Sequence, residues 1–181
     1  MGSTKVITGK VRFSYVHVFE PTAMSEGQEP KYSVSIIIDK KDKQTIDAVK
    51  AAIEQAKLDY KAKLVDKSGK VPANLRTPLR DGDVERPDSP EYAGSLFMTA
   101  SSFRKPGIID VKRMPIDDPD NFYSGCYGKA SVNFYGFAQA GNKGIACGLN
   151  NLLKLEDGER LDGGTSAAED FADDTEDDGL I

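Results

Sequence analysis

The chain has 181 residues, of which 39% are hydrophobic, enough for one core of ordinary domain size, and no apolar run approaches the ~20 residues that cross a bilayer. Its net charge of −5 conceals two regions: 11 of the 29 acidic residues but one of the 24 basic residues lie after Leu155, which puts −10 on 156–181 and leaves +5 on the body. A basic body with an acidic tail is a hint of nucleic-acid interaction, and two cysteines without metal-ligand spacing, Cys126 and Cys147, read as free thiols in a reducing cytoplasm.

In chain order, residues 5–19 read as one long strand. Ile7, Val11, Phe13 and Tyr15 share one parity and Lys10, Arg12 and Ser14 the other, until Val16 and Val18 break the alternation. The break predicts a bulge or bend near Gly9 or Ser14. Residues 20–30 form a polar loop, and 31–39 a second strand with Tyr32, Val34, Ile36 and Ile38 inward. Residues 42–64 carry the one long helix. Ile46, Val49, Ile53, Ala56, Tyr60 and Leu64 recur at spacings of three and four, with Asp39 or Asp42 as N-cap and Lys50, Lys57, Lys61 and Lys63 in the later turns.

The stretch 66–92 reads as a long irregular connection. Its acidic run at Asp81, Asp83 and Glu85 lacks the rest of a calcium-loop pattern. Residues 94–102 and 107–114 suggest a hairpin around Arg104-Lys105-Pro106-Gly107. Phe103, Arg104, Lys105, Lys112 and Arg113 then gather an aromatic and four cations, or simply a charged edge that resists aggregation.

The most informative stretch is 121–155. From Tyr127 to Phe137 the residues alternate, with Gly128, Ala130, Val132, Phe134, Gly136 and Ala138 on a small apolar face. Tyr127, Lys129, Ser131, Asn133, Tyr135 and Phe137 share the other face. A Gly/Asn turn at 140–144 joins this strand to a second one at 145–155, so a hairpin with one buried and one aromatic-plus-basic face is expected. Rings on such a face stack on unpaired bases at about 1–3 kcal/mol each, and a lysine among them meets phosphates. The plainer alternative is that these rings pack under a loop or at a subunit contact.

Catalytic signatures are lacking. The single histidine, His17, sits in an apolar strand, no phosphate-loop motif occurs, and the pair Asp117 and Asp118 lies in a Pro-rich loop. No enzyme, metal or cofactor is expected.

The segments FYSGCYGKASVNFYGF (122–137) and GNKGIACGLNNLLKLEDGERLDGG (141–164) resemble the C-terminal half of a tailed-bacteriophage single-stranded DNA-binding protein family. TPLRDGD (77–83), SLFMTASSFRKPGIID (95–110) and the long first strand resemble its earlier parts. The resemblance implies a mainly β fold with one long helix: an OB-fold, a five-stranded Greek-key barrel with extended loops. It also implies a non-catalytic protein that coats and protects unpaired DNA in phage replication and recombination, in the cytoplasm of the bacterial host.

Residues 1–164 would form the DNA-binding domain and 165–181 a disordered acidic tail. On the strand-face and charge arguments, Lys10, Arg12, Lys112, Arg113 and Lys129 would meet phosphates. Phe103, Tyr127, Tyr135 and Phe137 would stack, and Arg104 and Lys105 would line a hairpin closing over the strand. Tail residues Asp170, Phe171, Asp173, Asp174, Glu176, Asp177 and Asp178 would compete with DNA and recruit replication or recombination proteins. The competing class of function is a β-barrel structural or adaptor protein that binds other proteins through the aromatic face.

Overall fold

A computed structural model describes residues 3–23, 26–139 and 141–161; the seven tail residues named above and the boundary at Gly164 lie outside the described residues. Among those described, the strands in chain order are β1 (Lys5–Ile7), β2 (Val11–Thr22), β3 (Lys31–Asp39), β4 (Arg80–Asp81), β5 (Ser95–Ser102), β6 (Gly107–Ile109), β7 (Tyr127–Gln139) and β8 (Asn142–Glu156). The helices are α1 (Lys43–Asp59), α2 (Lys61–Leu64) and α3 (Gly82–Glu85).

The expected first strand is one line of chain with two irregularities. β1 and the start of β2 both run antiparallel to β7, Lys5 opposite Asn133 and Arg12 opposite Tyr127. Between them the register slips by one residue at 8–10. There Thr8 bridges the gap, its N–H donating to the Ala130 carbonyl at 2.9 Å while its Oγ1 accepts from Ala130 N at 3.0 Å. The second irregularity is at Tyr15, whose φ of 46° lies in the left-handed region that side chains with a Cβ rarely adopt. The pairing of β2 with β3 shifts there, between Ser14 and His17. The bend is expected near Gly9 or Ser14, and an irregularity is found at each, the second of them just before the alternation breaks at Val16.

These bends let the strands close on themselves. β2 pairs with β3, β3 with β5, β5 with β8, β8 with β7, and β7 again with β2. The β5–β8 pairing is parallel and the others antiparallel. The interior holds Phe13, Val34, Ile36, Ile38, Met98, Ala130, Val132 and Phe134, all essentially inaccessible.

Asp42 is the cap of α1, its carboxylate accepting from Thr45 N at 3.2 Å. The predicted stripe is buried at Ile46, Val49, Ile53 and Ala56. The helix lies against β7 and is interrupted at Tyr60, where α2 begins. Tyr60 packs directly on Gly136: a Cβ built on that glycine would sit 2.5 Å from the Tyr60 Cβ.

Two expectations are corrected. β5 and β6 do not pair with each other as a hairpin. Both run parallel to β8, β5 at Cys147 and Gly148 and β6 at Asn151, Leu152 and Leu153. They are two halves of one strand line interrupted by 103–106, because the Arg-Lys-Pro-Gly run reads locally as a turn but serves as an outward excursion. β3 is also not one-faced, since Ser33 to Ile38 are all buried. On the outer side of the sheet Ile37 packs with Tyr92 and Phe97 in a second cluster, closed by a hydrogen bond between Tyr92 Oη and Ser35 Oγ at 3.0 Å. Tyr92 arrives there on the 66–92 connection, which contains β4, α3 and a single 3-10 turn at Pro90–Tyr92. Asp81 and Asp83 in this segment are ion-paired with Lys40 at 3.0 and 2.8 Å, which raises the lysine pKa and lowers that of Asp83.

Candidate nucleic-acid interface

The outer face of β2, β3 and β5 presents a row of small polar groups. Ser33 stands opposite Ser101 and Ser35 opposite Thr99, before the row meets the Ile37–Phe97 pair. At the polar end lies an open cavity of about 460 Å³ lined by Lys31, Ser33, Thr99, Ser101, Phe103, the 27–29 loop and Gln139 from the end of the β7–β8 hairpin. Phe103 stands 59% exposed at its rim. The Lys31 ammonium sits 4.7 Å from the ring centroid, a cation–π contact. Among the described residues Lys31 forms no ion pair.

Beyond the row, the Arg86 guanidinium lies among three rings, 5.4 Å from Phe97 and 5.9 Å from both Tyr92 and Tyr15. Tyr15 projects 56% exposed from its strained backbone. At the far end Tyr127 carries Lys10 at 5.1 Å and Arg12 at 5.2 Å from its ring centre. These two cations are engaged. Arg12 donates to the carbonyls of Gly125 at 3.1 Å and Glu159 at 2.9 Å, and Lys10 is ion-paired with Glu156. The chain leaving β8 is fastened over this end by Tyr123, which donates to Asp157 at 2.9 Å. Asp157 also pairs with Lys154 at 2.6 Å, and these bonds hold its carboxyl below the usual carboxylate range.

The remaining predicted residues are elsewhere. β7 alternates as expected. Gly128, Ala130, Val132, Phe134 and Gly136 are buried, while Tyr127, Lys129, Ser131, Asn133, Tyr135 and Phe137 are half-buried; Ala138, expected inward, lies beyond the core and is exposed. Phe137 flanks Gly144 together with the Arg76 segment, since a Cβ at Gly144 would lie 2.5 Å from the Arg76 carbonyl and 3.0 Å from the Phe137 ring. Tyr135 is sufficiently enclosed that desolvation raises its hydroxyl pKa. Lys129 borders a small apolar groove with Ile7, Ile109 and Leu153.

Lys112 and Arg113 cap an exposed turn in which the Asp110 carboxylate accepts from Lys112 N at 2.8 Å and Met114 N at 3.0 Å. Arg104 and Lys105, on the 103–106 excursion, line a separate cleft with Lys5 and Asn133. The structure thus brings Lys10, Arg12 and Tyr127 together and puts Phe103 on the same face. Lys129, Tyr135, Phe137, Arg104, Lys105, Lys112 and Arg113 are not part of it. Sequence reasoning missed Tyr15 and Arg86, and the polar parity of Lys31, Ser33 and Ser35 on β3 was the available signal for the cavity.

A sequence model of the family described as "Enterobacter phage Enc34, ssDNA-binding protein" matches residues 4–181. The chain belongs to this family. A relative at 33% identity over 174 residues, covering 93% of each chain, is a putative protein, p50, of Acyrthosiphon pisum secondary endosymbiont phage 1. Among solved structures, the bacteriophage Enc34 single-stranded DNA-binding protein in complex with ssDNA aligns at 26% identity with a TM-score of 0.77, over 87% of this chain and 89% of that one. The bacteriophage T7 single-stranded DNA-binding protein gp2.5 shares the fold at 13% identity and a TM-score of 0.60, over 92% and 99% of the two chains. Among the described residues no helix is long and apolar enough to cross a membrane.

Proposed function

We propose that this chain is a non-catalytic phage protein that coats single-stranded DNA during replication and recombination, with little sequence preference. Family membership supports the substrate. The five-strand ring supports an OB-fold reading, with β1–β2 as its first strand, β3 and the β5–β6 line as its second and third, and β7 and β8 as its last two. In that fold the second- and third-strand face and the loops beside it take oligonucleotides. The observation that carries the assignment is the Phe103–Lys31 cavity, which occupies this face between the 27–29 loop and the β7–β8 hairpin end. Phe103 stacks a base and Lys31 meets its phosphate. The Ser33, Thr99 and Ser101 hydroxyls line the floor, and the track leads past Arg86 and Tyr15 toward Tyr127, Arg12 and Lys10.

The ion pair of Lys10 does not remove it from this role, because an exposed pair is worth only about 0–1 kcal/mol and a phosphate replaces the carboxylate. The acidic residues 165–181 act as a tethered competitor for the same cations and, once displaced, as a docking segment for replication proteins. Titration of a labelled oligo-dT tests the reading. Binding weakens steeply with salt through counterion release, and a chain ending at Gly164 binds more tightly at low salt with the gain fading as salt rises. Salt-independent binding, or none, would contradict the assignment.

A further inference from the structure

On the opposite side of the 103–106 excursion the molecule has a second open cleft, of about 600 Å³, lined by Lys5, Ser102, Arg104, Lys105, Asn133, Leu149, Asn150 and Asn151. Its charged groups are all cations, although the Asn150 amide donates an N–H to Ser131 Oγ at 3.5 Å and keeps its oxygen. Among the described residues Lys5, Arg104 and Lys105 form no ion pair. The amide oxygen of Asn133 is taken by the Thr4 hydroxyl at 3.0 Å and that of Asn151 by Gly107 N at 3.2 Å. Each of these bonds fixes its amide with the NH2 group left over, and an NH2 is purely a donor. Two amide donors and three cations in one cleft, with no carboxylate in its lining, select an anion with several acceptor oxygens.

The cleft is continuous with the Phe103 cavity through the chain itself. Ser102 and Phe103 are consecutive with Arg104 and Lys105; Phe103 lines the β3–β5 cavity, and its neighbours on either side line this cleft. We propose that a DNA strand leaving the Phe103 cavity turns over the excursion and lays its phosphodiester backbone in this cleft, with Lys5 and Lys105 as phosphate contacts and the Asn133 and Asn151 amides as donors. The excursion is then a ridge over which the strand bends, which explains why β5 and β6 are separate although both continue along β8. The inference rests on the reading of the chain as a single-strand binder and adds a second segment to its path.

The test compares two oligo-dT lengths, about four and about sixteen nucleotides, the limits of the range for one OB-fold. The double variant K5A/K105A removes two exposed cations that form no ion pair among the described residues, Lys105 giving up a contact of 5.9 Å with the Phe19 ring centre, and an unchanged melting temperature verifies that it is intact. The expected result is that the sixteen-mer loses about 1.4 units of its log–log salt slope, near 0.7 for each of two phosphates on single strands, while the four-mer binds as to the wild type. Phe103→Ala weakens both lengths. An unchanged slope for the sixteen-mer overturns the proposal, and binding of inorganic phosphate by the wild type but not the variant would then make the cleft a free-phosphate site. A loss of equal size at both lengths also overturns it, by placing the primary site in the cleft. If the wild type binds neither oligonucleotide, the functional reading itself fails.

Discussion

Phe103 and Phe137 stand on the same β-barrel, and each has a cation-bearing segment beside it, yet their surroundings differ. Phe103 is 59% exposed at a cavity rim, with the Lys31 ammonium 4.7 Å from its ring centre. Phe137 is half-buried against Gly144 and the backbone of Arg76, and Tyr135, two residues before it, is enclosed enough to raise its pKa. A ring stabilises a stacked base only if its face is free; a ring already packed contributes to the fold instead. The comparison therefore separates rings that hold the barrel from rings that are available to a ligand.

The largest expected effect lies on the inner side of this same strand. Phe134→Ala, at a site with no solvent access, should destabilise the protein by about 3–5 kcal/mol, measured by denaturant unfolding. It calibrates what a wholly structural ring is worth.

Next come the two rings that the comparison sets apart. Phe103→Ala should weaken oligo-dT binding by about 1–3 kcal/mol and leave the melting temperature almost unchanged. Tyr135→Ala should do the reverse, losing roughly 1–2 kcal/mol of stability, less than a full core truncation, at constant DNA affinity. If Tyr135→Ala instead cost affinity alone, the division between the two faces would be wrong.

The alternation of 127–137 was legible in the sequence down to single residues, because period-2 patterning is a direct consequence of strand geometry. So were the helix stripe, a cap at Asp39 or Asp42, and a bend near Gly9 or Ser14. What the pattern does not carry is which outward side chains are later covered by distant chain. Arg76 lies 61 positions before Phe137, and the Tyr92 that covers Ile37 lies 55 positions after it. The misread hairpin at 94–114 has the same origin. Pro106-Gly107 supplies a turn signal locally, whereas pairing with β8, more than 40 residues downstream, decides what the turn joins. The candidate site was legible as residue types and not as a surface, since Lys10, Arg12 and Tyr127 meet only because β2 pairs with β7.

A smaller effect sharpens the electrostatic side of the comparison. Lys31→Ala should reduce the salt slope for oligo-dT by about 0.7, equally for all sequences, whereas Arg76→Ala, beside Phe137, should leave it unchanged. The smallest effect concerns the strap over the Tyr127 end. Asp157 has a depressed pKa in the folded state, so its contribution is present above the unfolded carboxylate pKa, near 3.9, and is lost as pH falls through the lower folded value. Because the carboxylate is 76% exposed, screening keeps this to a few tenths of a kcal/mol. Asp157→Asn should flatten the acid limb of the stability–pH curve by lowering stability by that amount at neutral pH, with no difference below the folded pKa.

The central claim, that DNA lies on the β3–β5 face at Phe103, is tested most directly by following backbone amide NMR shifts while oligo-dT is added. The largest changes are expected at Lys31, Ser33, Thr99, Ser101 and Phe103, with Tyr135 and Phe137 nearly unmoved. Dominant changes at 133–137, with the β3–β5 face unperturbed, would contradict it.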